Sequence, residues 1–189
     1  MNRAVFLDRD GTINEEMGYI NHVKRFRIFD FVPEAIKIFN LLGFKVIVVT
    51  NQSGLGRGYF DERLLDEVHK TLLTTVSEQD GKIDKIYYCP HHPTDAIDKY
   101  RMDCNCRKPK TGMIDQAREE FNIDMNNSFM IGDRFKDVEF GKKAGLQTVM
   151  VLTGYGLGEY TYQRKDWSFL PDHFADNLLE AAKIITKLV

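Results

Sequence analysis

Short apolar runs recur along the chain, and they constrain its fold more than any other feature of the sequence. Each run is rich in branched and aromatic residues and is bounded by turn or polar residues, as buried parallel strands usually are. The runs lie at residues 4–7, 45–49, 85–88, 128–131 and 148–152. Amphipathic helical patterns occur at 33–42, 61–78, 113–121 and 177–189. Strands that alternate with helices predict an α/β fold with an open, doubly wound parallel sheet.

Nothing in the sequence divides the chain, since it has no internal repeat and no Gly/Ser linker. We therefore expect one domain over residues 1–189. The 26 basic and 28 acidic residues nearly cancel, so no overall charge favours nucleic acid or an anionic membrane as a partner. The first residues lack the apolar core of a signal peptide, and three cysteines fit poorly with a disulfide framework. We expect a cytoplasmic monomer.

Acidic residues follow two of the predicted strands. Ligands of open α/β sheets bind beyond the carboxyl ends of the strands. Asp8 and Asp10 come directly after the first run, and extended alternation predicts that their side chains point one way and Arg9 the other. A divalent cation relieves the repulsion between two close carboxylates, and Mg²⁺ prefers oxygen ligands. Asp133 follows the fourth run and is predicted to lie at the same edge.

A hydroxyl and a lysine complete the predicted site. Thr50 ends the second run, and Lys108 belongs to the basic segment 107–110 before the helix at 113–121. Acids, a hydroxyl and an ammonium group are thus predicted at one edge of the sheet. Two roles remain open for Asp137. It belongs to the acidic site, or it only favours a helix N-terminus, because it lies one turn beyond Asp133.

The motifs D-x-D-x-T, a strand-terminal Thr, a Lys and G-D-x-x-x-D resemble those of the haloacid dehalogenase superfamily of phosphatases, over about residues 6–145. The resemblance implies a three-layer, Rossmann-like fold in which Asp8 attacks phosphorus and Asp10 is the general acid and base. It also implies that Asp8, the backbone carbonyl of Asp10 and Asp133 hold Mg²⁺, and that Thr50 and Lys108 bind the phosphoryl group. An aspartate with a free pKa of ~3.9 needs no base to activate it.

A cysteine and histidine cluster predicts a second metal. Three thiolates and one imidazole form a closed tetrahedral zinc site, and C-x-H followed by C-x-C is a specific arrangement. The four predicted Zn²⁺ ligands are Cys89, His91, Cys104 and Cys106. His92 remains open as a replacement for His91. Because Cys106 directly precedes Arg107 and Lys108, we hypothesise that zinc in the loop at about 89–106 is structural and holds the lysine in place.

The loops around the predicted site set its specificity, because the predicted elements between Thr12 and Arg107 leave no room for a cap domain. These loops resemble those of the heptose bisphosphate phosphatases, which implies a small phosphorylated sugar as substrate and a role in bacterial surface heptose synthesis. Beyond Thr50 and Lys108, the implied substrate contacts are Glu16, Met17, Gly18, Tyr19, Asn51, Gln52, Ser53, Arg107 and Arg134. That family often has Lys at the position of Arg134, and the two donors differ in geometry. Histidinol-phosphate phosphatases resemble this chain in the same motifs and remain the alternative.

Other functional classes fit the sequence less well. A signalling receiver domain phosphorylates an aspartate on a later strand, whereas the D-x-D-x-T motif here follows the first. A zinc-dependent binding module leaves Asp8, Asp10 and Asp133 without a role. A polynucleotide phosphatase requires a basic stripe interleaved with aromatic residues, which this sequence lacks.

Overall fold

The computed structural model describes residues 1–189, the side chain of residue 98 excepted, and it is built on one parallel sheet. The strands are β1 (Ala4–Leu7), β2 (Lys45–Asn51), β3 (Lys85–Cys89), β4 (Phe129–Gly132), β5 (Gln147–Val151) and β6 (His173–Ala175). Their order in the sheet is β3-β2-β1-β4-β5-β6, which confirms the doubly wound parallel fold. The five predicted strands are present. The sixth was missed because three residues are too few for a recognisable pattern.

Seven helices connect and cover the strands of the described chain. They are α1 (Val32–Leu41), α2 (Ser53–Gly56), α3 (Glu62–Ser77), α4 (Gly112–Phe121), α5 (Phe135–Lys143), α6 (Gly156–Tyr162) and α7 (Leu178–Thr186). The four predicted helices are α1, α3, α4 and α7. The other three helices, α2, α5 and α6, were not predicted because glycines and polar residues interrupt the apolar pattern. In α5, for example, a Cβ on Gly141 would lie 2.7 Å from Met130 Cβ, so close packing on β4 requires glycine there.

The two faces of the sheet carry separate apolar cores, which gives three layers. Val5 and Val48 face one core, which α1, α3 and α7 cover, while Phe6 and Ile47 face the other, which α4 and α5 cover. This alternation follows from the two-residue period of a strand. Among the helices that the structure describes, none is both long enough and apolar enough to span a bilayer.

The sheet order places the predicted site residues side by side. Leu7 at the end of β1 is in register with Val48 of β2 and with Ile131 of β4. The carboxyl ends of these three strands therefore lie at one edge of the sheet. This is also where the strand order reverses between β1 and β4, the point at which ligands of doubly wound folds bind.

Two adjacent leucines of α3 test the packing of this layer. Leu72 is fully buried, and we expect Leu72→Ala to lower the free energy of unfolding by about 2–5 kcal/mol because it leaves a cavity. Leu73 is 42% exposed on the same helix, and Leu73→Ala should cost less than about 1 kcal/mol. Urea unfolding measures both. Equal losses for the two variants would contradict the described packing of α3.

Candidate active site

Three buried acids and one buried lysine meet at the carboxyl ends of β1 and β4. Asp8 follows β1, Asp133 follows β4, and Asp137 lies in the first turn of α5. Their carboxylate oxygens lie within 4.8 Å of one another. Lys108 Nζ donates to Asp8 Oδ1 at 2.8 Å, to Asp137 Oδ1 at 2.7 Å and to the carbonyl of Val49 at 3.0 Å. The structure thus brings together the predicted acids and the predicted lysine.

Asp137 combines the two roles that the sequence left open. Its Oδ2 accepts the backbone N–H of Arg134 at 3.2 Å, as a carboxylate at a helix N-terminus does. Its Oδ1 binds Lys108, and only 2% of the residue is exposed. Asp137 is therefore part of the acidic cluster as well as of the helix start.

The charges of this cluster do not balance. With all three carboxylates ionised, the one ammonium would leave two negative charges uncompensated. Burial, together with the neighbouring Asp8 and Asp137, raises the pKa of Asp133 to about 9. Burial and the neighbouring Asp137 likewise raise the pKa of Asp8 to about 7. Asp133 Oδ1 is buried without a hydrogen-bond partner among the residues described. A divalent cation supplies the missing charge and partner, and an all-oxygen donor set fits Mg²⁺.

Two glycines make room for Asp133. A Cβ on Gly11 or on Gly154 would collide with Asp133 Oδ2, and both residues have positive φ, at 83° and 56°. The same oxygen accepts the backbone N–H of Tyr155 at 2.8 Å. The loops after β1 and β5 therefore enclose one side of the carboxylate, while its other oxygen stays free for a ligand.

Arg9 does not point away from the acids, and the predicted alternation is wrong here. Its guanidinium donates from Nη2 to both Asp10 oxygens at 2.9 Å, and only 1% of the residue is exposed. The cause is a tight turn: the carbonyl of Arg9 accepts the N–H groups of Thr12, Ile13 and Asn14, so the backbone is no longer extended. Arg9 is thus a site residue that the sequence did not reveal.

Asp10 is held apart from the other acids by a network of donors. Besides Arg9, Asn14 Nδ2 donates to Asp10 Oδ1 at 3.0 Å and Gln52 Nε2 donates to Oδ2 at 2.8 Å. Burial alone raises the pKa of Asp10, but Arg9 and these two amides outweigh it and keep the pKa below its ordinary value. The resting carboxylate is therefore ionised and oriented.

His69 lies beneath this network. Arg9 Nη1 lies 3.3 Å from His69 Nε2. Because arginine only donates, the imidazole nitrogen accepts, and the ring is neutral. Burial and the charge of Arg9 lower the pKa of His69 to about 4. The two partners are 60 positions apart in the sequence, so no local pattern indicated this contact.

The end of β2 connects the acids to the lysine loop. Thr50 Oγ1 accepts from Gln52 Nε2 at 3.0 Å. The amide of Asn51 spans the backbone of Lys108: its Oδ1 accepts the lysine N–H at 3.1 Å, and its Nδ2 donates to the lysine carbonyl at 3.3 Å. Asn51, predicted as a substrate contact, therefore also orders the loop that carries Lys108.

The predicted metal-binding thiols and imidazole also converge. The four ligand atoms lie within 4.8 Å of one another, with Cys89 Sγ 3.5 Å from Cys104 Sγ and His91 Nδ1 3.4 Å from Cys106 Sγ. Tetrahedral zinc with bonds of about 2.3 Å to sulfur separates its ligands by about 3.8 Å, so this donor set fits zinc. His92 is elsewhere, since its Nδ1 accepts the N–H of Asp95 at 3.0 Å.

Backbone contacts tie the zinc-ligand loop to the site. Arg107 Nη1 donates to the carbonyl of His91 at 2.9 Å. The N–H of Gln52 donates to the carbonyl of Cys89 at 2.8 Å. Any shift of the cysteine and histidine cluster is thereby transmitted to both sides of the site.

A cavity of about 290 Å³ opens above the acids. Most of the predicted substrate contacts line it, together with Lys136 and Tyr155, which were not predicted. Two predicted contacts are not among its lining residues: the Met17 side chain packs against the core, and the Gln52 side chain is buried on Asp10 and Thr50. The predicted contacts in the wall are Glu16, Gly18, Tyr19, Thr50, Asn51, Ser53, Arg107, Lys108 and Arg134.

Three cations besides Lys108 line the cavity. They are Arg107, Arg134 and Lys136. Burial and repulsion by the charges of the two arginines lower the pKa of Lys136. Lys136 escaped prediction because a lysine near a helix start is usually only a solvated charge. An anionic group is the complementary ligand.

Comparison with known proteins connects this geometry to a family. Residues 105–181 match the HAD-hydrolase-like family model. The chain is similar to the D-glycero-beta-D-manno-heptose-1,7-bisphosphate 7-phosphatase of Haemophilus influenzae, with 38% identity covering 100% of this chain and 99% of that protein. The enzyme of the same name from Escherichia coli K12 is 39% identical, covering 87% of this chain and 86% of its own.

A crystal structure shows the same overall fold. It is the D,D-heptose 1,7-bisphosphate phosphatase from B. bronchiseptica complexed with magnesium and phosphate, with a TM-score of 0.86 and 26% identity. The match covers 99% of each chain. The likeness therefore extends over nearly the whole chain.

The buried imidazole should make stability depend on acid pH. Between pH 6.5, its ordinary pKa, and about 4, unfolded His69 binds a proton that the folded protein excludes. The stabilisation is therefore complete above pH 6.5 and decreases as the pH falls to about 4, by up to about 3 kcal/mol. We expect His69→Gln, which keeps an acceptor for Arg9, to flatten this slope in urea unfolding, and His22→Gln at an exposed site to leave it. An unchanged slope in His69→Gln would contradict the assignment.

Proposed function

This chain belongs to the family of D-glycero-beta-D-manno-heptose-1,7-bisphosphate 7-phosphatases, within the HAD-like hydrolases, and we propose that it removes the 7-phosphate of that sugar bisphosphate with Mg²⁺ as cofactor. The observation that carries the proposal is the position of Asp8. Its carboxylate lies at the end of β1, bound to Lys108 and beside Asp133, and lines a cavity that Arg107, Arg134 and Lys136 also line.

Asp8 is the proposed nucleophile. One of its carboxylate oxygens attacks the phosphorus of the 7-phosphate, and the bond from phosphorus to the sugar oxygen breaks. An aspartyl-phosphate and a sugar alkoxide result, and water then attacks phosphorus, which releases inorganic phosphate and restores Asp8. Phosphoryl transfer requires mainly positioning and neutralisation of charge. The Lys108 ammonium, which lies 2.8 Å from Asp8 Oδ1, and the Thr50 hydroxyl are the groups proposed to bind the phosphoryl oxygens.

Mg²⁺ would be held by Asp8 and Asp133, with the backbone carbonyl of Asp10 as a further ligand. Bound there, it neutralises negative charge on the phosphoryl oxygens and keeps the neighbouring carboxylates ionised. The buried, unpartnered Asp133 Oδ1 supports this assignment.

Asp10 is the proposed proton carrier for both steps. It protonates the sugar oxygen that leaves and then accepts a proton from the attacking water. In the resting protein its carboxylate is ionised and held by Arg9, Asn14 and Gln52. A phosphate dianion that enters the cavity raises the pKa of Asp10, which favours the protonated form that the first step uses.

The cationic wall supports a substrate with a second phosphate. Arg107, Arg134 and Lys136 line the cavity in addition to Lys108. Guanidinium groups bind phosphate oxygens in pairs, and an ammonium adds a point charge. Histidinol phosphate, the alternative substrate, carries a cationic amine, which these three cations repel. The structure therefore favours the sugar bisphosphate.

Zinc is proposed as a structural cofactor, bound by Cys89, His91, Cys104 and Cys106 in a loop of a single phosphatase domain over residues 1–189. A closed set of four protein ligands leaves no position for a reacting water. The bond from Arg107 to the carbonyl of His91 supports an indirect contribution to turnover through the Lys108 loop.

The substrate and the nucleophile are tested together by phosphate release with Mg²⁺. We expect the highest kcat/KM for the beta anomer of the heptose 1,7-bisphosphate, less for the alpha anomer and least for histidinol phosphate. Asp8→Asn should reduce the rate at least about a thousandfold, because an amide is a poor nucleophile. Asp80→Asn, at a side chain that is 83% exposed, is the control and should keep the parent rate. A preference for histidinol phosphate would refute the substrate, and an active Asp8→Asn would refute the nucleophile.

The zinc proposal is tested by Cys106→Ala, with metal content and kcat measured on the same sample. We expect loss of zinc and a fall in kcat of about ten- to a hundredfold, because small displacements of catalytic groups cost this much. His92→Ala is the matched control next to the cluster and should keep both. Full activity in zinc-free Cys106→Ala would overturn the proposal.

A further inference from the structure

Two side chains beyond β5 hold Arg134, although neither has a part in the proposed chemistry. Arg134 Nε donates to Glu159 Oε1 at 3.0 Å. The guanidinium carbon also lies 4.5 Å from the centre of the Tyr155 ring, within the range of a cation–π contact. Half of the Arg134 side chain is exposed, so these contacts restrain a group that would otherwise move freely in solvent.

Glu159 is itself fixed in place. It is 7% exposed, and its second oxygen accepts the backbone N–H of Phe135 at 2.7 Å. A buried carboxylate requires such partners, and both of them come from the two residues directly after Asp133. The carboxylate therefore anchors Arg134 to the start of α5 and cannot follow the arginine into solvent.

The segment that carries Tyr155 and Glu159 is also connected to the acidic cluster. The N–H of Tyr155 donates to Asp133 Oδ2 at 2.8 Å, and the Thr153 hydroxyl donates to the carbonyl of Gly11 at 2.6 Å. Through these bonds the position of Arg134 is set relative to the loop that carries Asp8. The spacing between the nucleophile and the guanidinium is thus built into the fold.

The contact with Glu159 leaves the two terminal amino groups of Arg134 for a ligand. A guanidinium has five N–H donors in a rigid plane, and the bond through Nε uses one. Arg134 lines the cavity with Arg107 and Lys136, so the remaining donors belong to its cationic wall. A side chain that is ordered before binding loses less conformational freedom when the ligand arrives.

We propose that Glu159 and Tyr155 are positioning residues, which preorganise Arg134 for the second phosphate of the substrate and thereby determine the preference for a bisphosphate over a monophosphate. This inference rests on the proposed function. A substrate that lacks the second phosphate places no anion at Arg134, so its binding gains nothing from the preorganised arginine side chain.

The test compares heptose 1,7-bisphosphate with heptose 7-phosphate in four proteins: the parent, E159Q, R134A and the double variant. Glutamine keeps an acceptor for the Phe135 N–H but loses the charge that holds the guanidinium. We expect E159Q to raise KM for the bisphosphate about tenfold, with kcat little changed and the monophosphate unaffected. In the R134A background, E159Q should have no further effect, because Glu159 acts through the arginine.

Tyr155→Leu gives a second measurement that does not depend on the folding of E159Q. It removes the ring but keeps the backbone N–H that binds Asp133, so a smaller rise in the same KM is expected. Equal losses on both substrates, or an undiminished effect of E159Q in R134A, would overturn the inference. Failure of the proposed function looks different: the parent protein would then release no phosphate from either sugar.

Discussion

Uncompensated negative charge at the carboxyl ends of β1 and β4 is the constraint on which the rest of the site depends. Asp8, Asp133 and Asp137 are buried within 4.8 Å of one another, and Lys108 offsets one of their three charges. Such an arrangement is costly unless a cation joins it. In the proposed phosphatase, the buried carboxylates that require a divalent cation are also the groups that hold this cation next to the nucleophile.

Two segments position cations of the site. The loop that follows the proposed zinc ligands presents Arg107 and Lys108, and the amide of Asn51 fixes its backbone. The segment after β5 holds Arg134 through Glu159. Each segment is tied to the centre of the site by hydrogen bonds. Residues far from the reacting atoms therefore set the positions of the cationic side chains. Rigid support of this kind is what positioning catalysis requires.

Features with a local cause could be predicted from the sequence, and features that depend on tertiary contacts could not. Five of the six strands, the acids at their ends and the cluster of three cysteines and one histidine follow from short patterns. Arg9 was placed wrongly because a turn replaces the extended chain after Leu7. The contact of His69 with Arg9 and the support of Arg134 by Glu159 join residues distant in sequence, and no periodic pattern records them. Short, glycine-containing helices such as α6 were missed because glycines and polar residues interrupt the apolar pattern.

The covalent intermediate at Asp8 offers the most direct measurement of the proposed chemistry. Asp10→Asn removes both the acid of the first step and the base that activates water. The aspartyl-phosphate therefore forms slowly, and we expect it to accumulate during a long incubation with Mg²⁺ and the bisphosphate because its hydrolysis lacks the base. Acid quenching followed by borohydride reduces an acyl phosphate to an alcohol, and peptide mass spectrometry then locates it. Conversion of Asp8 to homoserine, in substrate-treated protein alone, is the predicted result. Phosphate release by this variant with residue 8 still aspartate in every sample would contradict a covalent mechanism.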